Sequence, residues 1–251
     1  MNGSRIALVT GASRGIGKAC AQALLRAGWT TVFVGRDPAA LERAIEEAGE
    51  VTGSALALCC DLRDAHEVER VFASVEERFG RLDLLFNNAG VMGPSGCIDE
   101  IPLEGWHETL AVNLEGAFLC ARAAFGLMRR QEPQGGRIIN NGSIAAQAPR
   151  PRTVPYSVSK HAITGLTRCL ALDGRPYGIA CGQIDIGNVL TDMSQSFTQG
   201  MLQPGGERRP EPVFELRHVV DAVLYMAGLP PEANVLFMTV MASGMPFVGR
   251  G

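Results

Sequence analysis

A short apolar strand that runs directly into a glycine-rich loop restricts the fold of this chain more than any other feature. Residues 5–9 read R-I-A-L-V, residues 10–17 read T-G-A-S-R-G-I-G, and an alanine-rich helical segment follows to about Gly28. Such glycines let the backbone turn tightly and approach a pyrophosphate, and a helix N-terminus offers free N–H groups and a favourable dipole. Glycine clusters also form plain turns, but the flanking strand and helix predict the first half of a dinucleotide-binding unit. The candidate contact residues in this loop are Gly11, Ser13, Arg14, Gly15, Ile16 and Gly17.

Strand and helix patterns alternate along the rest of the chain. Apolar runs typical of buried parallel strands lie at residues 84–86, 137–139, 179–186 and 235–240. Helices are predicted after Asp64 and near residues 38–49, 102–131, 155–175 and 216–227. This order predicts an α/β fold of the Rossmann type, a doubly wound parallel sheet flanked by helices on both faces, in one domain over residues 1–251.

Two helix starts carry capping residues. Asp37 and Pro38 supply an N-cap and a first-turn proline. Asp64 and Glu67 have the spacing of a capping box. The helix after Asp64 has an apolar stripe that predicts its core face. The residues of this stripe are Val68, Val71, Phe72, Val75 and Phe79.

Charge and cysteine content exclude several classes of protein. A net charge of −3 and a pI near 5.9 predict no nucleic-acid partner. No apolar run approaches the ~18 residues of a membrane span, and a first strand by residue 5 leaves no room for a signal peptide. Seven cysteines without a C-x-x-C spacing predict buried, reduced thiols, and four histidines show no metal-ligand spacing. We expect a cytoplasmic protein without a metal site.

Tyr156 and Lys160 are the strongest catalytic candidates. Residues at i and i+4 of a helix lie on one face, so this spacing places an ammonium beside a phenol of ordinary pKa about 10. A nearby positive charge lowers such a pKa and makes tyrosine a usable acid or base. The Ser143 hydroxyl is expected to bind a substrate oxygen at the same point. Most Y-x-x-x-K pairs are ordinary surface residues, so the interpretation depends on the nucleotide-binding loop.

Several spaced motifs together resemble the short-chain dehydrogenase/reductase family in its compact form, over nearly the whole chain. They are T-G-A-S-R-G-I-G at 10–17, C-D-L at 60–62, N-N-A-G at 87–90, V-N-L at 112–114, N-G-S-I at 141–144 and Y-S-V-S-K at 156–160. The resemblance implies a nicotinamide-dependent oxidoreductase. Ser143 would bind the reacting oxygen, Tyr156 would act as general acid or base, and Lys160 would lower the tyrosine pKa and hold the ribose.

The remaining site residues also follow from the resemblance, and each has a plainer alternative. Asn113 would hold a water in a proton relay through the lysine, or would only bond a neighbouring carbonyl. Asp61 would bond the adenine with Leu62 alongside, or would cap a turn. Small residues after the fourth strand would admit the ribose and nicotinamide, or would only shape the strand end. The expected contacts there and after the sixth strand are Asn88, Ala89, Gly90, Gly187, Val189 and Thr191.

The sixth strand departs from the family pattern R-V-N-x-I-x-P-G. Gly182 stands in place of the asparagine and Ile186 in place of the proline, which removes some rigidity from the turn. Asp185 is unusual in this strand, and we expect a structural ion pair in preference to a substrate-binding acid. The family's I-T-G motif before the last strand is absent, which argues against the cofactor or tetramer contacts that family members make near their C-terminal end.

The second strand indicates which nicotinamide cofactor the chain prefers. Gly35 occupies the position where NAD-selecting members carry an acid, so a 2′-phosphate has room. Arg36 follows, and Arg14 projects from the glycine loop toward the same corner, where two guanidiniums would clamp a phosphate. The alternative is that Arg36 only solvates a loop and Arg14 caps a turn. The pattern predicts NADP(H) in preference to NAD(H).

The expected function is an NADP(H)-dependent alcohol dehydrogenase or ketone reductase that acts on a small molecule. The alternatives are reduction of a 3-oxoacyl thioester, or an idle cofactor-binding regulator. A substrate segment is expected at about 192–215, with Arg208 and Arg209 as one exposed pair and His161 as a helix-face residue. The chain is predicted to form a homo-oligomer, a dimer or a tetramer. The candidate lid residues are Met193, Phe197, Met201 and Leu202, and the candidate interface residues are Leu114, Phe118 and Phe125.

Overall fold

A seven-stranded parallel sheet organises residues 4–191 and 200–248, which are the residues that the computed structural model describes. The sheet order is β3-β2-β1-β4-β5-β6-β9, and β7 and β8 form a separate antiparallel pair. The strands are β1 (Ile6–Thr10), β2 (Thr30–Gly35), β3 (Ala55–Cys59), β4 (Leu84–Asn87), β5 (Gly136–Asn141), β6 (Ile179–Ile186), β7 (Met201–Leu202), β8 (Arg208–Arg209) and β9 (Phe237–Val240).

Helices connect the parallel strands. They are α1 (Gly15–Arg26), α2 (Pro38–Glu46), α3 (Ala65–Phe79), α4 (Leu103–Leu110), α5 (Ala117–Arg130), α6 (Val154–Asp173) and α7 (Arg217–Gly228). A π-helical turn at Ala111–Gly116 joins α4 to α5. Short 3₁₀ turns lie at Ile98–Glu100, Ile144–Ala146 and Arg175–Tyr177. The predicted fold class is confirmed, although α2 ends earlier and β9 begins later than predicted.

Two apolar layers cover the sheet. On one face α1, α2 and α7 contribute Leu24, Leu41 and Val223 to a buried cluster. On the other face α3 and α5 contribute Val71 and Leu127. Because both faces are covered, β1 is buried at every position. In the predicted α3 stripe, Val68, Val71, Phe72 and Val75 are buried and Phe79 is half-buried.

The helix caps agree in part with the sequence expectations. Asp37 accepts a hydrogen bond from the Ala40 N–H at 3.1 Å, as predicted. Asp64 caps α3, but the predicted capping box is wrong. The Asp64 N–H donates to the Asp61 carbonyl, so Glu67 instead accepts from the Asp61 N–H at 2.7 Å. The turn between Asp61 and Asp64 therefore decides the partner of the glutamate.

The continuous helix over Leu103–Arg130 is long and apolar enough to cross a bilayer by length and composition alone. The expectation that no segment approaches that length is thus corrected. Core helices of soluble proteins meet the same criterion, and α5 packs against α3, β4 and β5. This helix therefore carries no argument for a membrane location.

The cysteines follow the sequence expectation only in part. Cys20, Cys60, Cys120 and Cys181 are buried, whereas three are exposed, and all seven thiols are free. Burial raises the pKa of the Cys60 and Cys181 thiols to about 12, so these two are protonated at neutral pH. The exposed cysteines are Cys59, Cys97 and Cys169.

Candidate active site

The glycine loop between β1 and α1 needs glycine for steric reasons. Gly11 and Gly15 have φ angles of +65° and +55°, a region that side chains disfavour. A Cβ on Gly17 would lie 2.3 Å from the Gly11 carbonyl oxygen and 2.4 Å from Nδ2 of Asn88. The loop is therefore packed directly against the end of β4.

The N-terminus of α1 is open toward the cleft. Arg14 is the N-cap residue with extended backbone, and its side chain does not cap the helix. A Cβ on Gly15 would meet no atom within 4 Å. Uncapped N–H groups, the helix dipole and free space above the loop fit an anionic pyrophosphate.

Hydrogen bonds tie the ends of three neighbouring strands together. The Thr10 hydroxyl accepts from the N–H groups of Asn88 and Ala89 at 2.9 and 3.0 Å. Asn88 Nδ2 donates to the Thr10 carbonyl at 2.9 Å, and Asn141 Nδ2 donates to Asn88 Oδ1 at 2.9 Å. Because β1, β4 and β5 are parallel, these bonds fix one edge of the sheet, where ligands of such folds bind.

One cleft runs along this edge and contains most of the predicted contacts. Asn113, Ser143, Gly187 and Val189 do not line it. The predicted residues on its walls are Gly11, Ser13, Arg14, Gly15, Ile16, Gly17, Arg36, Asp61, Leu62, Asn88, Ala89, Gly90, Tyr156, Lys160 and Thr191.

Several wall residues were missed by the sequence reasoning. Glu108 and Val112 share a helix face four residues apart, and that spacing was the available signal. Asn141 lies two residues before Ser143, and its carbonyl holds Lys160. The added wall residues are Val34, Cys60, Val91, Met92, Glu108, Val112 and Asn141.

Tyr156 and Lys160 lie in the first two turns of α6 and both line the cleft. Lys160 is 5% exposed, and its Nζ donates to the Asn141 carbonyl at 2.7 Å and lies 5.6 Å from the centre of the Tyr156 ring. Burial lowers the pKa of Lys160 to about 8, while Asp185 opposes this shift. At neutral pH most of the lysine is therefore still protonated.

The phenol of Tyr156 behaves differently from the sequence expectation. Burial raises its pKa above the ordinary value, and a hydrogen bond with the Ser143 hydroxyl and the charge of Arg150 oppose the rise. A lowered pKa was predicted, but the loss of water around the phenol outweighs the favourable neighbours. Tyr156 is thus protonated at neutral pH.

Ser143 and Asn113 lie behind the cleft wall. The Ser143 hydroxyl accepts from the Ala145 N–H at 3.1 Å. The buried Asn113 side chain accepts from the Val91 N–H at 2.7 Å and donates to the Val91 carbonyl at 2.8 Å and to Ser159 Oγ at 3.1 Å. Asn113 therefore fixes the loop after β4 against α6, and its role in a proton relay stays a prediction.

At the end of the cleft where adenine is predicted to bind, Asp61 already has a cationic partner. Arg63 donates to both carboxylate oxygens, at 2.5 Å for the shortest contact, and this pairing lowers the pKa of the Asp61 carboxyl. Leu62 is 7% exposed and packs in the core. A hydrogen bond from an adenine to Asp61 would thus go to a carboxylate that Arg63 also binds.

The turn after β6 lies beneath the site. The Gly187 N–H donates to the Val240 carbonyl at 2.9 Å, and Val189 forms an isolated bridge with Phe214. Ile186 pairs with Val240 and is buried, so β6 continues through the position of the family proline.

The other two departures in β6 also have structural explanations. A Cβ on Gly182 would lie 2.1 Å from the Val235 carbonyl oxygen, which excludes an asparagine there. The ion pair expected for Asp185 is wrong, because the hydrogen-bond partners of its carboxylate are the neutral N–H groups of Ser143, Gln147 and Gln183.

The corner predicted to bind a 2′-phosphate is open. Arg14 and Arg36 are exposed and line the cleft beside Gly35. A Cβ on Gly35 would lie 3.2 Å from Leu41 Cδ2, so a larger side chain needs only a small shift of that leucine. The corner therefore combines positive charge with space.

Other predicted features fall away from this cleft. His161 is exposed, and its Nδ1 lies 2.8 Å from the Ser157 carbonyl, as expected of a helix-face residue. Arg208 and Arg209 are exposed in β8. Met201 and Leu202 are half-buried, whereas Met193 and Phe197 lie outside the described residues. In the ranges 4–191 and 200–248, no group of three His, Cys, Asp or Glu residues is arranged to hold a metal ion.

A dinucleotide-binding sheet with a Tyr-Lys pair at its ligand-binding edge defines a class of oxidoreductases, and the comparisons agree with it. A family model described as short chain dehydrogenase matches residues 5–202. The chain therefore belongs to the short-chain dehydrogenase family, whose members are oxidoreductases that bind a nicotinamide cofactor.

Known proteins resemble most of the chain. A 3beta-hydroxysteroid dehydrogenase of Mediterraneibacter gnavus is 39% identical over 183 residues, which are 72% of this chain but only 64% of that protein. A 3-oxoacyl-[acyl-carrier-protein] reductase of Synechocystis is 34% identical over 77% of each chain. The structure of an alcohol dehydrogenase from Thermococcus sibiricus, complexed with 5-hydroxy-NADP, covers 97% of this chain and 98% of its own, at 25% identity and a TM-score of 0.81.

Proposed function

We propose that this protein is an NADP(H)-dependent oxidoreductase that interconverts a ketone and a secondary alcohol at a Ser143-Tyr156-Lys160-Asn113 site. The observation that carries the proposal is the position of Tyr156 and Lys160 in the same cleft as the glycine loop. An ammonium, a phenol and the glycine loop therefore line one cleft, where they would contact one bound cofactor.

The side chains have complementary roles in ketone reduction. NADPH held along the glycine loop would supply the hydride for the carbonyl carbon. Tyr156 gives its proton to the carbonyl oxygen, and the raised pKa of its phenol keeps that proton available at neutral pH. Ser143 orients the phenol through the hydrogen bond between their hydroxyl groups, and the Lys160 ammonium stabilises the resulting phenolate. In alcohol oxidation the hydride and the proton of Tyr156 move in the opposite direction.

The catalytic role is tested with Tyr156→Phe, which removes only the hydroxyl. We expect kcat to fall by on the order of 10²–10⁴, while the dissociation constant of NADPH, measured by fluorescence, stays near that of the wild type. Tyr225→Phe is the matched control because Tyr225 is 58% exposed and does not line the cleft. Turnover of Tyr156→Phe within a few-fold of wild type would show that another group transfers the proton.

The preference for NADP(H) is proposed from Arg14, Arg36 and Gly35. One hydrogen bond to a charged group contributes roughly 1.5–3 kcal/mol, so Arg36→Ala should lower kcat/KM for NADPH by about ten- to a hundredfold and leave that for NADH unchanged. The double variant Gly35→Asp/Arg36→Ala should prefer NADH. Arg43→Ala, an exposed arginine of α2 away from the cleft, should change neither value. Equal kcat/KM values for both cofactors in the wild type would refute the preference.

The substrate is proposed to be an apolar ketone or its alcohol. Met92 lines the cleft and is 44% exposed, and Leu190, four residues after the end of β6, is 53% exposed. One relative is named as a 3beta-hydroxysteroid dehydrogenase and another as a 3-oxoacyl-[acyl-carrier-protein] reductase, so both ketone classes belong in a screen that follows oxidation of NADPH. Turnover of thioesters alone would favour the second class, and no turnover at all would favour a cofactor-binding regulator.

Self-association and a cytoplasmic location also remain part of the proposal. Phe118 is 49% exposed on α5, and Leu114 is half-buried beside it, so this face can pair with a second copy. Phe125 instead packs edge-on against Tyr177, with ring centres 6.0 Å apart. Light scattering should show a dimer or tetramer that Phe118→Glu weakens, and only 26.7 kDa species at micromolar concentration would refute it.

A further inference from the structure

A buried carboxylate lies directly behind the proposed catalytic residues. Asp185 is 1% exposed. Its Oδ1 accepts from the Ser143 N–H at 3.1 Å and from Gln183 Nε2 at 2.7 Å, and its Oδ2 accepts from Gln147 Nε2 at 3.0 Å. Within the described ranges, no lysine, arginine or histidine nitrogen lies within 4 Å of this carboxylate. A charge held only by neutral donors is costly to bury.

The surrounding chain is shaped to hold this carboxylate. A Cβ on Gly142 would lie 2.1 Å from Asp185 Oδ1 and 2.6 Å from Gln183 Nε2, so only glycine fits before Ser143. Gln183 is in turn fixed by Thr164 and Thr167 of α6, at 3.1 and 3.0 Å. The carboxylate is therefore locked between β5, β6 and α6, with its Oδ1 directed at the Ser143 backbone.

We propose that Asp185 is a positioning residue, which fixes the backbone of Ser143 and holds a negative charge behind Tyr156 and Lys160. This role rests on the proposed function and deepens it. Asp185 does not line the cleft, so it acts through these three residues and does not touch substrate.

The charge acts on both titrating groups in the same direction. Asp185 raises the pKa of Lys160 and of Tyr156, which holds protons on both groups. The other charged groups nearby are Arg150, which lowers the pKa of Tyr156, and Glu211, whose carboxylate pairs with Arg150 at 2.5 Å. Removal of the Asp185 charge therefore favours the deprotonated forms at the site.

The charge is tested by titration of Lys160 without any substrate. The chain has only two lysines, Lys18 and Lys160, so protein labelled with ¹³C-lysine gives two Cε signals in an NMR titration, assigned with Lys18→Met. In Asp185→Asn the Lys160 midpoint should fall below the wild-type value of about 8. Asp83→Asn is the matched control, because this partly buried carboxylate binds Arg81 and the Ile6 N–H at the opposite end of the sheet. It should leave the midpoint unchanged.

The positioning role is tested by kinetics on the same variants. In Asp185→Asn, kcat for ketone reduction at neutral pH should fall by about tenfold while KM for NADPH stays within about twofold. Asp185→Ser also loses the acceptor for the Ser143 N–H, so its kcat should fall by up to about a hundredfold. Asp185→Ser takes the place of Asp185→Asn if thermal unfolding shows that the latter is not folded. An unchanged Lys160 midpoint or an unchanged kcat overturns the proposal. A wild-type protein without turnover on any carbonyl refutes the proposed function instead, and the lysine titration then decides alone whether Asp185 acts on the site.

Discussion

Replacement of Lys160 by methionine is expected to stabilise the fold although it removes a proposed catalytic group. Burial lowers the lysine pKa from 10.5 to about 8, a difference that corresponds to roughly 3 kcal/mol of unfolding free energy. The variant also loses the hydrogen bond from Nζ to the Asn141 carbonyl at 2.7 Å, which offsets about 1–2 kcal/mol. A net gain of about 1–2 kcal/mol remains at neutral pH, or roughly 2–8 °C in Tm for a chain of this size.

The pH dependence identifies the origin of this gain. Below about pH 8 the lysine is protonated in the folded and the unfolded protein, so the full cost of its burial is present. Between about pH 8 and 10.5 the unfolded protein binds more protons, and wild-type stability should therefore rise with pH relative to the variant. Above this window the unfolding free energies of the two proteins should differ only through packing and the lost hydrogen bond.

The assay is urea unfolding of both proteins across this pH window. The other titrating groups are common to both proteins, so their contributions cancel in the difference between the two unfolding free energies. Lys18→Met is the control, since Lys18 is a partly exposed lysine that pairs with Glu47 on the surface, and pairs of this kind contribute little. If Lys160→Met is less stable than wild type at neutral pH, or if the stability difference does not change between about pH 8 and 10.5, the lysine is not held at a cost in the folded protein.

Two further variants test the framework of the site. Gly17→Ala places a Cβ 2.3 Å from the Gly11 carbonyl oxygen. It should therefore weaken NADPH binding at least tenfold, as measured by fluorescence titration, and lower Tm, as measured by calorimetry. Retained affinity would mean that the loop can move aside at little cost. Gln131→Leu removes the buried amide that pairs with the Leu82 N–H and carbonyl at 2.8 and 3.1 Å. It should cost about 2–4 kcal/mol of stability in urea unfolding without a change in KM, and a change below about 0.5 kcal/mol would show that water replaces the amide.

Most of the fold was predictable because its signals are local. The glycine loop needs positive φ angles at Gly11 and Gly15, and glycine is the residue type that tolerates such angles. Continuous apolar strands indicated a sheet covered on both faces, and the i, i+4 spacing placed Tyr156 and Lys160 on one helix face. Most of the cofactor residues predicted from these local patterns line one cleft, and the others do not line it.

What only the tertiary structure decided concerns partners that lie far apart in the chain. Asp185 meets Ser143 across 42 positions, so no local pattern could show that its partners are neutral amides and not a cation. Burial by several elements at once reversed the expected direction of the Tyr156 pKa. The sequence by itself predicted most of the residues that line the cleft, because backbone geometry and side-chain spacing are local. Their charges and hydrogen bonds were decided by packing, because desolvation depends on every element that surrounds a group.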